Sequence, residues 1–413
     1  MAAANGLKFA DTGLALEAAD VESNCEESPG RIELSVVIPC LNEAETIGAC
    51  VATARRTMNE HDIAGEVIVA DNGSNDASAD IAIESGARLV RVAARGYGNA
   101  LMAGIEAARG AYIIMGDADG SYDFNAIPAF LEKLRQGFDL VQGCRLPTGG
   151  GTVAPGAMPF LHRHLGNPLF SFLARRWFSS SMHDVYCGLR GFTKSHYQRL
   201  EQRCSGMEFA TEMIIKSCLF GAKVAEVPIV LYPDGRTRAP HLRTFRDGWR
   251  TLRFFLLCSP RQLFLTPGFL LIVFGLTAYA LALPGVSVGG VIFDAHTLLF
   301  GTVALLCGYQ AIFFGVFAKA LGAREGILPE DKRIRRLLDS AYLEIGLVVG
   351  AIALVIGIAL LLGAVNQWRV AHFGALQYAH TMRWVVPGAT LTALGFQTIL
   401  SAFLLSILGL RRE

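Results

Sequence analysis

Asp117 and Asp119, one residue apart, directly follow the apolar run 111–115, Ala-Tyr-Ile-Ile-Met. Paired hard carboxylates at a strand terminus can hold Mg²⁺ or Mn²⁺ while leaving coordination positions for diphosphate oxygens. Two further acidic turns lie upstream. Residues 36–43 read Val-Val-Ile-Pro-Cys-Leu-Asn-Glu, a strand that runs through Pro39 and Leu41 to Glu43 at its mouth. Residues 69–76 read Val-Ala-Asp-Asn-Gly-Ser-Asn-Asp, where Asp71 closes a strand and Gly73 permits a tight turn. Carboxylates at adjacent strand ends can accept hydrogen bonds from ribose hydroxyls and a base edge, although each alone is equally readable as a helix cap.

The elements that must position these groups alternate in the pattern of an α/β fold with a mostly parallel sheet covered by helices. Strands are expected at 34–39, 66–70, 88–92, 111–115, 140–143 and 222–231, and helices at 45–60, 78–85, 98–109, 160–178 and 206–219. Ligands of open α/β sheets bind outside the carboxyl ends of the strands, so position alone nominates the Glu43, Asp71 and Asp117 turns. The glycine- and proline-rich stretch 147–156 reads as a loop over the site.

Composition separates this domain from the C-terminal third of the chain. The mean hydropathy of +0.39 over 413 residues is too high for an ordinary soluble protein, and the apolar excess is concentrated after the last expected strand. Four charge-free cores, 263–283, 298–317, 345–365 and 384–410, are long enough to span a bilayer. Arg324, Lys332, Arg333, Arg335 and Arg336 lie between the second and third, and Arg411 and Arg412 come after the fourth, whereas the other two connections hold only Arg369 and Arg383. That asymmetry places both termini and the α/β domain in the cytoplasm. Residues 1–30 read as a disordered acidic tail, 31–240 as the α/β domain, 241–260 as a juxtamembrane amphipathic helix and 261–413 as the membrane domain. A net charge of +1 excludes nucleic acid as a partner, and nine cysteines without a CxxC pair read as reduced thiols. A homo-oligomer is compatible with all of this.

Taken together, the opening strand with Asn42-Glu43, the turn 71–76, the stretch 95–101 (Arg-Gly-Tyr-Gly-Asn-Ala-Leu) and the Asp-x-Asp pair resemble glycosyltransferase family 2, over roughly residues 34–253. The order Gln142-Gly-Cys-Arg145, Asp184-Val-Tyr-Cys-Gly-Leu-Arg190 and Val227-Pro-Ile, ahead of membrane spans, resembles polyprenyl- or dolichyl-phosphate sugar synthases within it. The resemblance implies a GT-A nucleotide-sugar-binding domain. It implies donor contacts from Pro39, Leu41, Glu43, Asp71 and Gly73, then from Arg95, Gly96 and Gly98, and from Asp117 and Ala118, with Arg236 and Arg238 on a loop over the donor phosphates. Arg145, Arg163 and Asn167 would meet the acceptor phosphate. Metal ligands would be Asp117 and Asp119. Where dolichyl-phosphate mannose synthases continue Leu-Gln-His-Pro, this chain has Gly120-Ser-Tyr-Asp123, leaving Ser121 or water in place of the glutamine.

The expected activity is inverting transfer of a hexose from a UDP-glucose- or GDP-mannose-type donor to a polyprenyl phosphate at the cytoplasmic membrane face. A phosphate monoester is already an anion near pH 7, with a second pKa of roughly 6, and needs no base. A hydroxyl acceptor would need one, and Asp184 is the candidate. Processive or lipid-hydroxyl transfer, and a non-catalytic nucleotide-sugar-sensing scaffold, are the competing readings.

Overall fold

The computed structural model describes residues 32–235, 244–337 and 340–409. The expected tail and the arginines Arg236, Arg238, Arg411 and Arg412 lie outside the described residues. The chain divides into two units, one ending at Phe255 and the other beginning at Leu256.

The first unit opens with β1 (Leu34–Cys40), α1 (Ile47–Glu60), β2 (Gly65–Asp71), α2 (Ser78–Glu84), β3 (Arg88–Arg91), α3 (Tyr97–Ala107) and β4 (Tyr112–Met115). It continues through α4 (Ile127–Arg135), β5 (Leu140–Cys144), β6 (Thr152–Val153), α5 (Asn167–Phe178), β7 (Arg190–Thr193), α6 (Lys194–Leu200), α7 (Glu208–Leu219), β8 (Val224–Pro228), β9 (Val230–Leu231) and α8 (Thr244–Leu257). Seven strands form one sheet in the order β3-β2-β1-β4-β7-β5-β8. β1 pairs in parallel with β2 and β4, as continuous β-branched runs predict for strands covered on both faces. Val36, Ile38, Val67 and Val69 join the core containing Ile47, Val51 and Ala54 of α1. On the other face α3 approaches so closely that a Cβ on Gly104 would stand 2.6 Å from Val37 Cγ1.

β7 breaks the parallel pattern. It runs antiparallel to both β4 and β5 and lies between them. α4 is not among the expected helices, although Ile127, Phe130, Leu131 and Leu134 recur at helical spacing and are buried. The expected strand at 222–231 is two strands, and the expected loop 147–156 contributes β6, which pairs in parallel with β9. The expected helix at 160–178 begins with a π-helical turn, His162–Gly166, before α5. α8 buries Phe255 against Phe170, Trp177 and Phe178 and leaves Trp249 60% exposed, combining a packed face with an amphipathic outer one.

Among the described residues of the second unit are four helices long and apolar enough to cross a membrane. They come after a π-helical turn, Arg261–Leu265, as α9 (Thr266–Ala282), α10 (Ala295–Arg324), α12 (Ser340–Val370) and α13 (Tyr378–Gly409). Strands β10 (Ser287–Val288) and β11 (Val291–Ile292) form a hairpin between α9 and α10, and the short α11 (Lys332–Leu337) precedes α12. The helices outrun the charge-free cores, so Arg369 and Arg383 lie inside α12 and α13 rather than in connections. Small residues set the helix contacts. A Cβ on Gly275 would meet Gly301 O at 2.8 Å, and one on Gly395 would meet Gly350 O at 2.7 Å, so α9 with α10 and α12 with α13 approach backbone to backbone.

Candidate active site

Parallel pairing of β2, β1 and β4 brings three acidic turns to one edge of the sheet. Asp71 ends β2 opposite Cys40 of β1, Glu43 follows β1, and Asp117 follows β4, whose Gly116 N–H donates to Val37 O. Each turn is held by local hydrogen bonds. Asp71 accepts from Ser74 N, the Glu43 amide donates to Ser78 Oγ at 2.7 Å, and Asn42, at φ 58, receives Asn75 N–H on Oδ1. Cys50 lies beneath them, its thiol pushed up to about 11 by burial, with Asp119, Glu43 and Asp117 adding to the rise. It is one of eight cysteines among the described residues, all of them free.

The Arg95-Gly-Tyr-Gly stretch caps the same edge. Asn72 Nδ2 donates to Ala94 O at 2.8 Å while its Oδ1 receives Gly96 N–H at 2.7 Å. Gly96 adopts φ 140, and Gly98 N–H donates to Ser205 O. Glycine is required at 98, because a Cβ there would stand 2.2 Å from Cys204 O. The receiving loop is fixed in turn by Glu212, which accepts from the Arg203 and Cys204 amides and pairs with Lys216. Glu208, one turn before Glu212 on α7, lies 3.8 Å from Arg250.

This turn delivers Tyr97, whose hydroxyl donates to Asp117 Oδ1 at 2.9 Å. Burial, and then the Asp117 charge, raise the phenol well above its ordinary value, so it stays a donor. On the other side a Cβ on Gly188 would stand 2.5 Å from Asp117 Oδ2 and 3.0 Å from the Tyr122 ring. Gly188 N–H donates to Tyr122 Oη at 2.8 Å. Asp119 Oδ1 accepts from both Ser121 N and Ser121 Oγ, so the serine orients this carboxylate. Arg190, fully buried, donates to Ala210 O and Cys187 O. Burial lowers its pKa, while Tyr97, Cys187, Tyr122 and Asp117 work to keep its charge.

Two predictions arise here. Tyr97→Phe is expected to lower turnover about tenfold and to raise the Mn²⁺ concentration for half-maximal rate, the loss of one charge-assisted hydrogen bond being worth about 1.5–3 kcal/mol. Steady-state rates over a Mn²⁺ series check it, and an unchanged series refutes it. Gly188→Ala should displace Asp117 or Tyr122, at a cost of about 1–3 kcal/mol. Its melting temperature and rate should both fall.

Asp117 and Asp119 fit a divalent cation by chemistry, both being hard oxygen donors on a constrained turn. Among the described residues no cluster of three or more His, Cys, Asp or Glu is placed to hold a metal. A two-carboxylate site completed by water and substrate phosphates is the usual arrangement for Mg²⁺.

The second half of the site lies past β5. Arg145 Nε and Nη2 grip Asp184 Oδ2 and Oδ1 at 2.7 and 2.9 Å, and the Arg145 amide adds a third bond at 3.0 Å. Asp184 is fully buried. Burial pushes its pKa up, but the Arg145 charge and its hydrogen bonds outweigh that and hold the carboxyl below its ordinary value. Glu226 accepts from the His183 and Asp184 amides and pairs with His183 Nδ1 at 2.6 Å. Burial lowers the pKa of His162 on the π-helical turn, and the Arg145 charge lowers it further, which relates the turn bearing Arg163 to the Arg145 pair. Asn167 Nδ2 points at Met158 Sδ, 3.3 Å away. Gly235 N–H donates to Asp119 O immediately before the undescribed residues that hold Arg236 and Arg238.

A mixed sheet with acidic turns on its carboxyl edge, followed by four apolar helices, defines a GT-A-type, nucleotide-sugar-dependent glycosyl transferase joined to a membrane region. The chain belongs to glycosyltransferase family 2. Residues 35–200 match the glycosyl transferase family 2 model, and residues 316–409 match the model of the glycosyltransferase family 2 C-terminal transmembrane region. It is 36% identical over 377 residues to the low-salt glycan biosynthesis hexosyltransferase Agl6 of Haloferax volcanii, covering 91% of this chain and 89% of the relative. It is also 32% identical to a dolichyl-phosphate hexose transferase of the same organism, over 48% of this chain and 82% of that protein. Among solved structures, glucosyl-3-phosphoglycerate synthase from Mycobacterium tuberculosis, in complex with Mn²⁺, UDP and glucosyl-3-phosphoglycerate, superposes with a TM-score of 0.41 at 20% identity, covering 55% of this chain and 77% of that one.

Sequence reasoning nominated the acidic turns and Arg145. It assigned no role to Asn72, Tyr122, Arg190 or Glu226, although Asn72 and Arg190 stand inside motifs already singled out.

Proposed function

We propose that the protein transfers a hexose, with inversion, from a nucleoside-diphosphate sugar to a polyprenyl phosphate at the cytoplasmic face of a membrane. One observation carries the choice of acceptor: the carboxylate nominated as base for a hydroxyl, Asp184, is buried, bidentately paired with Arg145 and lowered in proton affinity. A group so held is a poor base near neutral pH, whereas a lipid phosphate needs none. The names of the two relatives, a hexosyltransferase and a dolichyl-phosphate hexose transferase, support the same reading.

A membrane-borne acceptor is further supported by an apolar stripe. Leu161 just ahead of the π-turn, Leu165 on it, and Leu169 and Phe172 on α5, about one helical turn apart, are all exposed, with Arg163, Arg175 and Arg176 on the same elements. The basic stretch containing Arg324, Lys332, Arg333 and Arg336 supports the cytoplasmic assignment.

In this reading Glu43 and Asp71 bind the nucleoside, and the Gly96–Gly98 turn closes against it. Arg163 and Asn167 draw the acceptor phosphate towards the anomeric carbon, and Arg145, fixed by Asp184, shapes the acceptor side. A divalent cation held by Asp117 and Asp119 would neutralise charge on the departing diphosphate. Tyr97 and Ser121 keep those two carboxylates oriented, so little reorganisation accompanies reaction.

The test is release of nucleoside diphosphate by the purified full-length protein with UDP-glucose and GDP-mannose, against undecaprenyl phosphate, dolichyl phosphate, ceramide and diacylglycerol. Release should require a lipid phosphate and stop in chelator. Equal release with a lipid alcohol, or none with any donor, would overturn the proposal.

A further inference from the structure

The membrane unit contains a groove to which the proposed reaction assigns no role. It runs between α10 and α13 and is lined by Tyr309, Gln310, Phe313 and Phe314 on one side and by Gln397 and Ser401 on the other. Thr302 bonds Thr390 at 2.9 Å and Tyr309 bonds Thr398, so the two helices run in the same direction and Gln310 and Gln397 lie at one level. That level is deep: Gln310 is near the midpoint of α10, roughly 21 Å along the axis from Arg324.

A carboxamide at this depth finds no water, and side chains of this kind normally face the bundle interior or a polar partner. Here Gln310 is exposed, and the Gln397 carbonyl oxygen is buried with no hydrogen-bond partner among the described residues. The flanking Phe314, Leu400 and Leu404 are also exposed.

We infer that this face binds a second copy of the chain about a twofold axis along the membrane normal. Copies inserted into one membrane share an orientation, so such an axis keeps every residue at its own depth. Gln310, exposed at that level in each copy, therefore meets its counterpart, with the partly exposed Gln397 beside it. A carboxamide carries both donors and an acceptor, so the patch complements itself, as an isologous contact requires. An isoprenoid or acyl chain would fill the phenylalanine-lined part but would offer the amides no hydrogen bond. The inference does not rest on the glycosyl-transfer reading.

The test places the full-length protein in lipid nanodiscs wide enough for two copies and reads its mass by mass photometry. Energy transfer between differently labelled copies in vesicles gives the dissociation constant over a series of protein-to-lipid ratios. Wild type should be dimeric, and Gln310→Leu with Gln397→Leu should raise the dissociation constant at least about tenfold with melting temperature and glycosyl transfer retained. Should the double variant fold poorly, Gln310→Leu alone, at an exposed position, should still weaken the dimer measurably. A wild type that is monomeric at every ratio, or variants that dimerise as wild type does, would overturn the inference. So would a monomer whose native mass spectrum retains an isoprenoid that the variants lose.

Discussion

Asp119→Asn is expected to lower hexose transfer by about 10²–10³-fold, the size associated with removing one electrostatic contributor to a developing negative charge. Asparagine keeps an oxygen for the Ser121 amide and hydroxyl, so the turn should persist and the melting temperature should change little. In the proposed reaction the lost quantity would be a formal negative charge at the metal-holding pair, and raised Mn²⁺ should recover part of the rate. Product formation at the wild-type rate, or wild-type product formation undiminished by chelator, would remove the metal role from this pair.

Asp184→Asn should act on stability first. It leaves the Arg145 guanidinium buried without its counter-charge, a change that costs about 3–5 kcal/mol where one partner of a buried pair is removed. The sign of the pH dependence comes from the lowered carboxyl. Its stabilisation is fully present above the unfolded value of about 3.9 and is lost as pH falls through the folded one. Thermal unfolding should therefore separate wild type from variant widely at pH 7 and progressively less in acid. A variant that unfolds with wild type yet loses turnover would return Asp184 to the role of general base and, with it, a hydroxyl acceptor.

Much of the acidic edge was legible because its signals are local. β1, β2 and β4 each carry a short apolar run with a carboxylate at or just beyond its end, so strand and candidate site residue sit side by side in the chain. β7 was not legible, because Arg-Gly-Phe-Thr is four residues with no alternation, and its place between β4 and β5 comes from pairings far apart in sequence. The same holds for Tyr97, whose role depends on a carboxylate twenty residues away, and for Gly188, whose missing side chain matters only because Asp117 occupies the space. Ser121, the expected stand-in for the glutamine, donates its hydroxyl to Asp119. That bond could have been suspected from the Asp-x-Ser spacing, which favours a local turn.

The reversed strand β7 has a kinetic consequence. The seven residues from Asp184 to Arg190 hold Arg145 at one end, make room for Asp117 in the middle and enter the sheet between the two halves at the other. A lesion in this segment should not yield a clean defect in one substrate: the apparent Michaelis constants for sugar nucleotide and lipid should drift together, as though two locks shared a single bolt.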